Sequence, residues 1–387
     1  MLAALMLSGC GLPPGYGGPA VNPVSDEQIL ASAREALASL ERRRQVDERT
    51  TVWQVDVAVA QGRVTLTGKS SSSQLKDEAV AALRRLPGVR QVADAVLVLP
   101  HPALGDKVRG VISLPVLNLG DAPGQADGKH VVTQAVLGMV VDVLEEEQGW
   151  YRVRMWDGYL GWVEGRSLVR GTRAEVDEFL AGKRAVVTAR MAPVRGTPAP
   201  DGREVYPQQA VEGTELPYRG EQGGWVRVGL PGGGEGYLAA NQVQVLPSHG
   251  AVFAKKGDAR AVIATARRYL GLPYLWGGTT GYGFDCSGFT QFALRVNGWP
   301  IPRDADMQYG TGTPVTDREK LAPGDLVFFT TYKPGPSHVG IYMGGGRFIH
   351  CGSRGVAINS LDPDDPEYSS YLSARFLGGR RIVSSPP

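Results

Sequence analysis

The stretch Phe284-Asp285-Cys286-Ser287-Gly288 decides how this chain is read, because it sets a thiol at the first turn of a predicted helix. Phe289, Phe292, Ala293 and Val296 follow at helical spacing and form one apolar face, until Gly298 and Pro300 stop the helix. Unpaired N–H groups and the helix dipole favour negative charge at such a start, so Cys286 is poised as a nucleophile. A base is still required. Ser337-His338-Val339-Gly340-Ile341-Tyr342 supplies a histidine at the beginning of a predicted strand. Twelve residues later, across Gly344-Gly345-Gly346, Phe348-Ile349-His350 supplies a second imidazole. An even-sum register, such as 340 opposite 350, puts His338 and His350 on one sheet face, diagonal neighbours about 7–8 Å apart at the backbone. His350 is then able to orient His338, while Cys351 points to the other face as a buried free thiol.

Around this centre, residues 255–382 read as one α+β domain. It opens with a helix over Asp258–Leu270, continues through the loop Gly271–Gly278, and adds strands around Leu326–Phe329, His338–Tyr342 and Arg347–His350. Singly, a cysteine or a strand histidine is more often an ordinary core residue than a catalyst. The ordered set says more. Tyr-x-Trp-Gly-Gly (274–278), Asp-Cys-Ser-Gly (285–288), Arg-Asp-Ala (303–305), Pro-Gly-Asp-Leu-Val-Phe-Phe (323–329), Ser-His-Val-Gly-Ile-Tyr (337–342) and Phe-Ile-His (348–350) resemble the NlpC-type cell-wall cysteine peptidases segment by segment. The resemblance implies a papain-like α+β fold with nucleophile Cys286, general base His338 and orienting His350. It further implies that Tyr274 lies beside the reactive centre and helps an oxyanion hole made with the Cys286 N–H. Asp285 and Ser287 would line the substrate cleft, and Arg303 and Asp304 would shape its wall.

Upstream, an internal repeat organises residues 105–170 and 184–247. Gly149-Trp150-Tyr151-Arg152-Val153 precedes Gly161-Trp162-Val163, and Gly224-Trp225-Val226-Arg227-Val228 precedes Gly236-Tyr237-Leu238, with eleven residues from tryptophan to glycine in both copies. The pattern resembles paired bacterial SH3 domains, two small β-barrels. Trp150 and Trp225 are expected in their cores, with Tyr159 and Trp162 as candidate surface contacts. Two such domains before the catalytic one resemble the γ-D-glutamyl–diamino acid endopeptidases. There, the resemblance implies, the first SH3 domain closes one end of the cleft and a free L-alanine amine is read. At the position aligned with that domain's acidic amine reader stands His130, within Lys129-His130-Val131-Val132-Thr133-Gln134.

Residues 24–100 read as a small α+β module. Ser25 with Gln28 forms a capping box before a helix bearing Ile29, Ala33, Leu37 and Leu40, and strands around Val55–Val59, Val64–Thr67 and Val92–Leu99 flank a second helix with Leu75, Ala79, Ala82 and Leu83. Its Gly-x-Val-Thr-Leu-Thr-Gly and Gly-Val-x-x-Val segments resemble BON domains, associated with envelope or membrane attachment; a generic spacer is the other reading. Residues 1–10 end in Leu7-Ser8-Gly9-Cys10, which resembles a lipoprotein lipobox with Cys10 as the lipidated residue. The alternative is an apolar stub with an incidental cysteine. Residues 11–23, rich in glycine and proline, suit a tether.

Composition bounds the rest. Lys+Arg of 41 against Asp+Glu of 39, a formal charge of +2, gives no polyelectrolyte balance and argues against a nucleic-acid partner. Glycine (52) and proline (27) beside 42% hydrophobic residues fit short strands and many turns. Cys10, Cys286 and Cys351 are too few and too dispersed for a four-ligand zinc site, so neither metal nor cofactor is expected. The expectation is therefore a multidomain protein mixing α+β and all-β parts. It would be a lipid-anchored cell-envelope hydrolase that cuts the amide following D-glutamate in L-Ala-γ-D-Glu-diamino acid stem peptides through a thioester acyl-enzyme. The alternatives are a wall-binding lipoprotein with a degenerate peptidase domain, and a cysteine amidase or acyl-transfer enzyme acting on another peptidoglycan amide.

Overall fold

A computed structural model of the chain describes residues 24–383. Cys10 and the tether at 11–23 lie outside the described residues. The chain divides into two compact units, one holding residues 24–46 and Trp53–Leu97, the other Asp47–Val52 and residues 98–383.

In the first unit the helix Asp26–Arg44 begins on the expected capping box, with Gln28 N–H donating to Ser25 Oγ at 3.2 Å and Ser25 N–H to Gln28 Oε1 at 2.9 Å. Ile29, Ala33, Leu37 and Leu40 are its buried stripe. Strands Trp53–Ala60, Arg63–Ser70 and Gln91–Val98 form one sheet, and the helix Ser73–Leu83 contributes Leu75, Ala79, Val80 and Leu83 to the shared core. Gln61 and Gly62, both at positive φ, make the two-residue turn that pairs Ala60 with Arg63.

The second unit contains three larger sheets. The first has seven strands in the order Leu168–Gly171, Arg109–Ile112, Val140–Glu147, Trp150–Arg154, Leu160–Glu164, Val116–Gly120, Val131–Val136. The next has five, ordered Glu235–Ala239, Trp225–Gly229, Glu215–Gln222, Arg184–Val187, Val243–Leu246. Neither order returns to its first strand, so the barrels expected from the repeat are open sheets. Bulges at Val143/Glu145 and Leu119/Gly120 bend strands of the first without closing it. The aromatic assignments also change. Trp150 and Trp225 are only half-buried, whereas Trp162 is 6% exposed and so is not a surface contact; Tyr159, equally buried, lines the cleft over Cys286.

The third sheet runs Thr313–Val315, Phe376–Arg381, Leu326–Phe329, His338–Gly344, Arg347–Gly352, Gly355–Ser360. Against it packs the helix Cys286–Arg295, and behind that the helix Ala259–Arg267, which is shorter than the expected Asp258–Leu270 and has Asp258 as its N-cap. Phe289, Phe292, Ala293 and Leu294 join Phe328, Val339, Ile341 and Ile349 in one core. The Cys286 helix is buried on every side through Leu294, not along one face. Its polar side finds partners in place of water. Thr290 Oγ1 donates to Gln308 Oε1 at 2.8 Å, and Gln291 Nε2 donates to Asp157 Oδ2, next to the first sheet, at 2.8 Å.

Candidate active site

Cys286 is the first residue of its helix, and Asp285 is the cap, accepting from Gly288 N–H at 2.7 Å through Oδ1. The glycine there answers a close approach: a Cβ on Gly288 would stand 2.1 Å from the Gly278 carbonyl oxygen. Asp285 does more than cap. Arg303, 1% exposed, clamps it from Nη2 to Oδ2 at 2.6 Å and from Nη1 to Oδ1 at 3.1 Å, and Gly277 N–H donates to Oδ2 at 3.1 Å. Arg303 also donates to Ser287 Oγ at 3.0 Å and to Thr133 Oγ1 at 3.1 Å. The bidentate pair is satisfied from all sides, which is what a buried ion pair requires.

The two histidines stand where parity put them. Gly340 pairs with His350 in the antiparallel ladder, and a Cβ on Gly340 would press on the His350 Cβ at 3.0 Å. His338 Nε2 and His350 Nδ1 are 2.7 Å apart with the rings at 89°. His350 Nε2 lies 2.9 Å from Asn359 Oδ1, and Asn359 is oriented by its own Nδ2 donating to the Glu367 carbonyl at 3.2 Å. That chain of bonds sets the tautomers. Asn359 Oδ1 accepts the His350 Nε2 proton, His350 Nδ1 accepts the His338 Nε2 proton, and His338 Nδ1 keeps a free lone pair. Cys351 faces the other way, with Sγ 3.1 Å from the Phe284 carbonyl oxygen.

A cleft of about 300 Å³ opens over Cys286, lined among others by Tyr159, Tyr274, Trp276, Asp285, Ser287, Arg303, Asp304 and Tyr332. Tyr159 O–H donates to Asp304 Oδ2 at 2.9 Å. His130 is not part of this lining: Lys129, Val131 and Val132 are, while the His130 ring turns to Asp121, with Nδ1 to Oδ2 at 3.1 Å. The short 3-10 turn Gly128–His130 ends there, and its geometry carries the imidazole away from the cleft. A larger groove of about 610 Å³ beside Arg170, Glu175 and Gly232–Gly234 brings no nucleophile with it. Among the described residues no cluster of three metal-ligating side chains occurs.

The NlpC/P60 family model matches residues 271–378, the bacterial dipeptidyl-peptidase Sh3 domain matches 123–168, and the BON domain matches 25–100. A γ-D-glutamyl-L-lysine dipeptidyl-peptidase of Bacillus cereus is 32% identical over 254 residues, which cover 63% of this chain and 74% of that one. The chain belongs to the NlpC/P60 family. A γ-D-glutamyl-L-lysine dipeptidyl-peptidase of Bacillus subtilis is 44% identical over 125 residues, 31% of this chain and 41% of its own length. The crystal structure of an NlpC/P60 family protein from Bacillus cereus superposes with a TM-score of 0.61 at 28% identity, covering 71% of this chain and all of that one. An NlpC/P60 endopeptidase from Photobacterium damselae shares the fold at 13% identity, with a TM-score of 0.52 over 92% of this chain and 91% of that one.

In this NlpC/P60 site, burial dominates the charge states. It pushes the Cys286 thiol up to about 12, helped by the charge of Asp285, against the opposing pull of the Val339 N–H and Arg303. Burial likewise pushes His338 down to about 3 and lowers His350. The thiolate expected from helix position alone is therefore not the resting form. Desolvation outweighs the helix dipole, and thiol and imidazole rest neutral. Tyr274 is held above the ordinary phenol range by burial and by Cys286, so it keeps its proton as a donor. The sequence reading does not reach Asn359 or the cleft residues Arg49, Asp306, Tyr332 and Lys333. Extending the same parity argument one strand further would have found Asn359, which pairs with Phe348 and so shares a face with His350.

Proposed function

We propose that the NlpC/P60 domain cleaves the amide between D-glutamate and the diamino acid of L-Ala-γ-D-Glu-diamino acid stem peptides, with Cys286 as nucleophile. His338 Nδ1 takes the thiol proton as Sγ attacks the D-glutamyl carbonyl carbon, so that charge appears only as the bond forms. The developing oxyanion is met by the Cys286 backbone N–H and the Tyr274 hydroxyl. His338 then delivers its proton to the leaving amine, and the C–N bond breaks to leave a thioester. Water, deprotonated by the same imidazole, hydrolyses that thioester and regenerates the thiol. His350 and Asn359 hold the His338 ring and stabilise the imidazolium that forms between the steps.

The observation that carries this reading is the unbroken relay His338–His350–Asn359, whose two histidines stand on the neighbouring strands against which the Cys286 helix packs. The substrate class is supported by the names of the Bacillus relatives, γ-D-glutamyl-L-lysine dipeptidyl-peptidases, and by the Bacillus subtilis probable peptidoglycan endopeptidase LytE, 43% identical over 121 residues. The Gly-Trp…Gly repeats support two SH3-like modules, the first walling one end of the cleft through Tyr159. Mass spectrometry of the products from purified stem peptides and muropeptides is the test. Cleavage at the D-glutamyl bond is expected from the wild type and from Cys351→Ala, and no turnover from Cys286→Ala. Activity retained in Cys286→Ala would end the cysteine-peptidase mechanism.

A further inference from the structure

Arg49 sits more than two hundred residues before the catalytic motifs, yet it lines their cleft. The segment Asp47–Val52 that bears it belongs to the second unit, and Leu160 N–H donates to the Arg49 carbonyl at 2.7 Å. Its guanidinium is fully engaged with acids. Nη1 donates to Asp304 Oδ2 at 2.7 Å and to Asp306 Oδ1 at 2.9 Å; Nη2 donates to Asp306 Oδ2 at 2.9 Å and to Asp47 Oδ2 at 2.6 Å. Asp47 Oδ1 accepts from Arg49 Nε and from its backbone N–H, each at 2.9 Å.

These contacts decide what the end of the cleft beside Tyr159 can hold. A substrate ammonium leaving water needs a carboxylate partner there. Asp285 is committed to Arg303, Gly288 and Gly277. Asp304 and Asp306 are the remaining carboxylates of the lining, and both face Arg49; Asp304 Oδ2 takes the Tyr159 hydroxyl as well. Around them stand Lys129, Lys333 and Arg303, and Asp47 adds a third acid on Arg49, so four cations are matched by four carboxylates. A further ammonium entering this end finds no carboxylate left unpaired, whereas a neutral amide needs none.

We infer that Arg49 occupies the cation position of the cleft, so that this enzyme takes stem peptides whose L-alanine nitrogen is acylated in preference to peptides with a free amine. Arg49 is thus a specificity-determining residue. The inference rests on the reaction proposed above, but it concerns the alanine end of the peptide and not the bond that is cut. It replaces the free-amine reading implied by family resemblance with one set by this chain's own sequence.

The test compares L-Ala-γ-D-Glu-diamino acid tripeptide with the same peptide N-acetylated, in the full chain. Wild type is expected to show kcat/KM at least about tenfold higher for the acetylated form, a gap of roughly 1.4 kcal/mol. Arg49→Ala should move that ratio about tenfold towards the free peptide, chiefly through KM, and Arg49→Lys should stay near the wild type. Calorimetric binding of both peptides to Cys286→Ala is read in parallel, because it does not depend on turnover. Tighter binding of the acetylated peptide supports the inference even where the D-glutamyl bond stays intact, a result that would sink only the proposed reaction. Equal binding, or tighter binding of the free peptide, overturns it. So does an Arg49→Ala variant that folds, as judged by an unchanged melting curve, and keeps the wild-type ratio or gains equally on both peptides; the first makes Arg49 a strut and the second a plug.

Discussion

His338 and His350 rest as neutral rings over the pH range in which a free imidazole takes up a proton, and this has a cost in acid. Burial lowers both, His338 from 6.5 to about 3. An unfolded chain binds those protons at the ordinary imidazole pKa while the folded one refuses them, so protons favour the unfolded state. Stability should be fully present above about pH 6.5 and fall as pH drops towards 3, by up to about 1.4 kcal/mol per pH unit for each buried ring. Urea midpoints measured from pH 7.5 to 4.5 check this. His338→Gln should flatten the slope below pH 6.5 by about one proton, and an unchanged slope would mean that the ring is hydrated and titrates normally. The same neutrality fits the chemistry: charge separation is deferred until substrate carbon is there to receive the sulfur.

At the scale of elements, the helix start at Cys286 is held by a carboxylate whose duty is structural. Asp285→Asn keeps a good N-cap but strips the charge from the buried Arg303, leaving a cation without its counter-ion. A loss of about 3–5 kcal/mol in the unfolding of the second unit is expected, the range for breaking one side of a buried pair. Denaturant unfolding followed by Trp fluorescence measures it; a raised KM with an unmoved midpoint would make Asp285 a substrate ligand instead. This element also shows where sequence reading succeeds and fails. The cysteine at a capped helix start and the histidines on one strand face are legible because caps, glycine turns and strand parity are local rules. What lies on the far side of the helix is not, since Thr290 and Gln291 look solvent-facing until Gln308 and Asp157 arrive from elsewhere in the chain. Arg49 was invisible for the same reason, since nothing near residue 49 announces Asp304 or Asp306. The open sheets differ from the expected barrels because closure depends on how the first and last strands meet, which the Gly-Trp repeat does not encode.

For the molecule as a whole, the second unit joins three sheets that their sequences would present as separate modules. Gln134, on a strand of the first sheet, accepts from Thr279 N–H at 3.0 Å and from the Thr280 hydroxyl at 3.1 Å through Oε1. Thr133 meets Arg303, Asp157 meets Gln291, and Tyr159 meets Asp304. From the side of the five-stranded sheet, buried Glu212 accepts from Tyr269 O–H at 2.8 Å and from Arg268. Each such bond contributes about 1 kcal/mol net, and an orphaned buried partner costs more, so no sheet here can open without stranding polar groups of the next. The expected consequence is one cooperative body over residues 98–383. Hydrogen exchange read by mass spectrometry along a urea series should give a common midpoint for Val131–Val136, Arg184–Val187 and Cys286–Arg295, and an independent one for Trp53–Ala60 in the first unit. Glu212→Gln, which removes the charge facing Arg268, should lower the three midpoints together. If Arg184–Val187 exchanged at distinctly lower urea than the Cys286 helix, or if Glu212→Gln moved it alone, the five-stranded sheet would be a separate folding unit. The cleft would then owe its rigidity to the first sheet only.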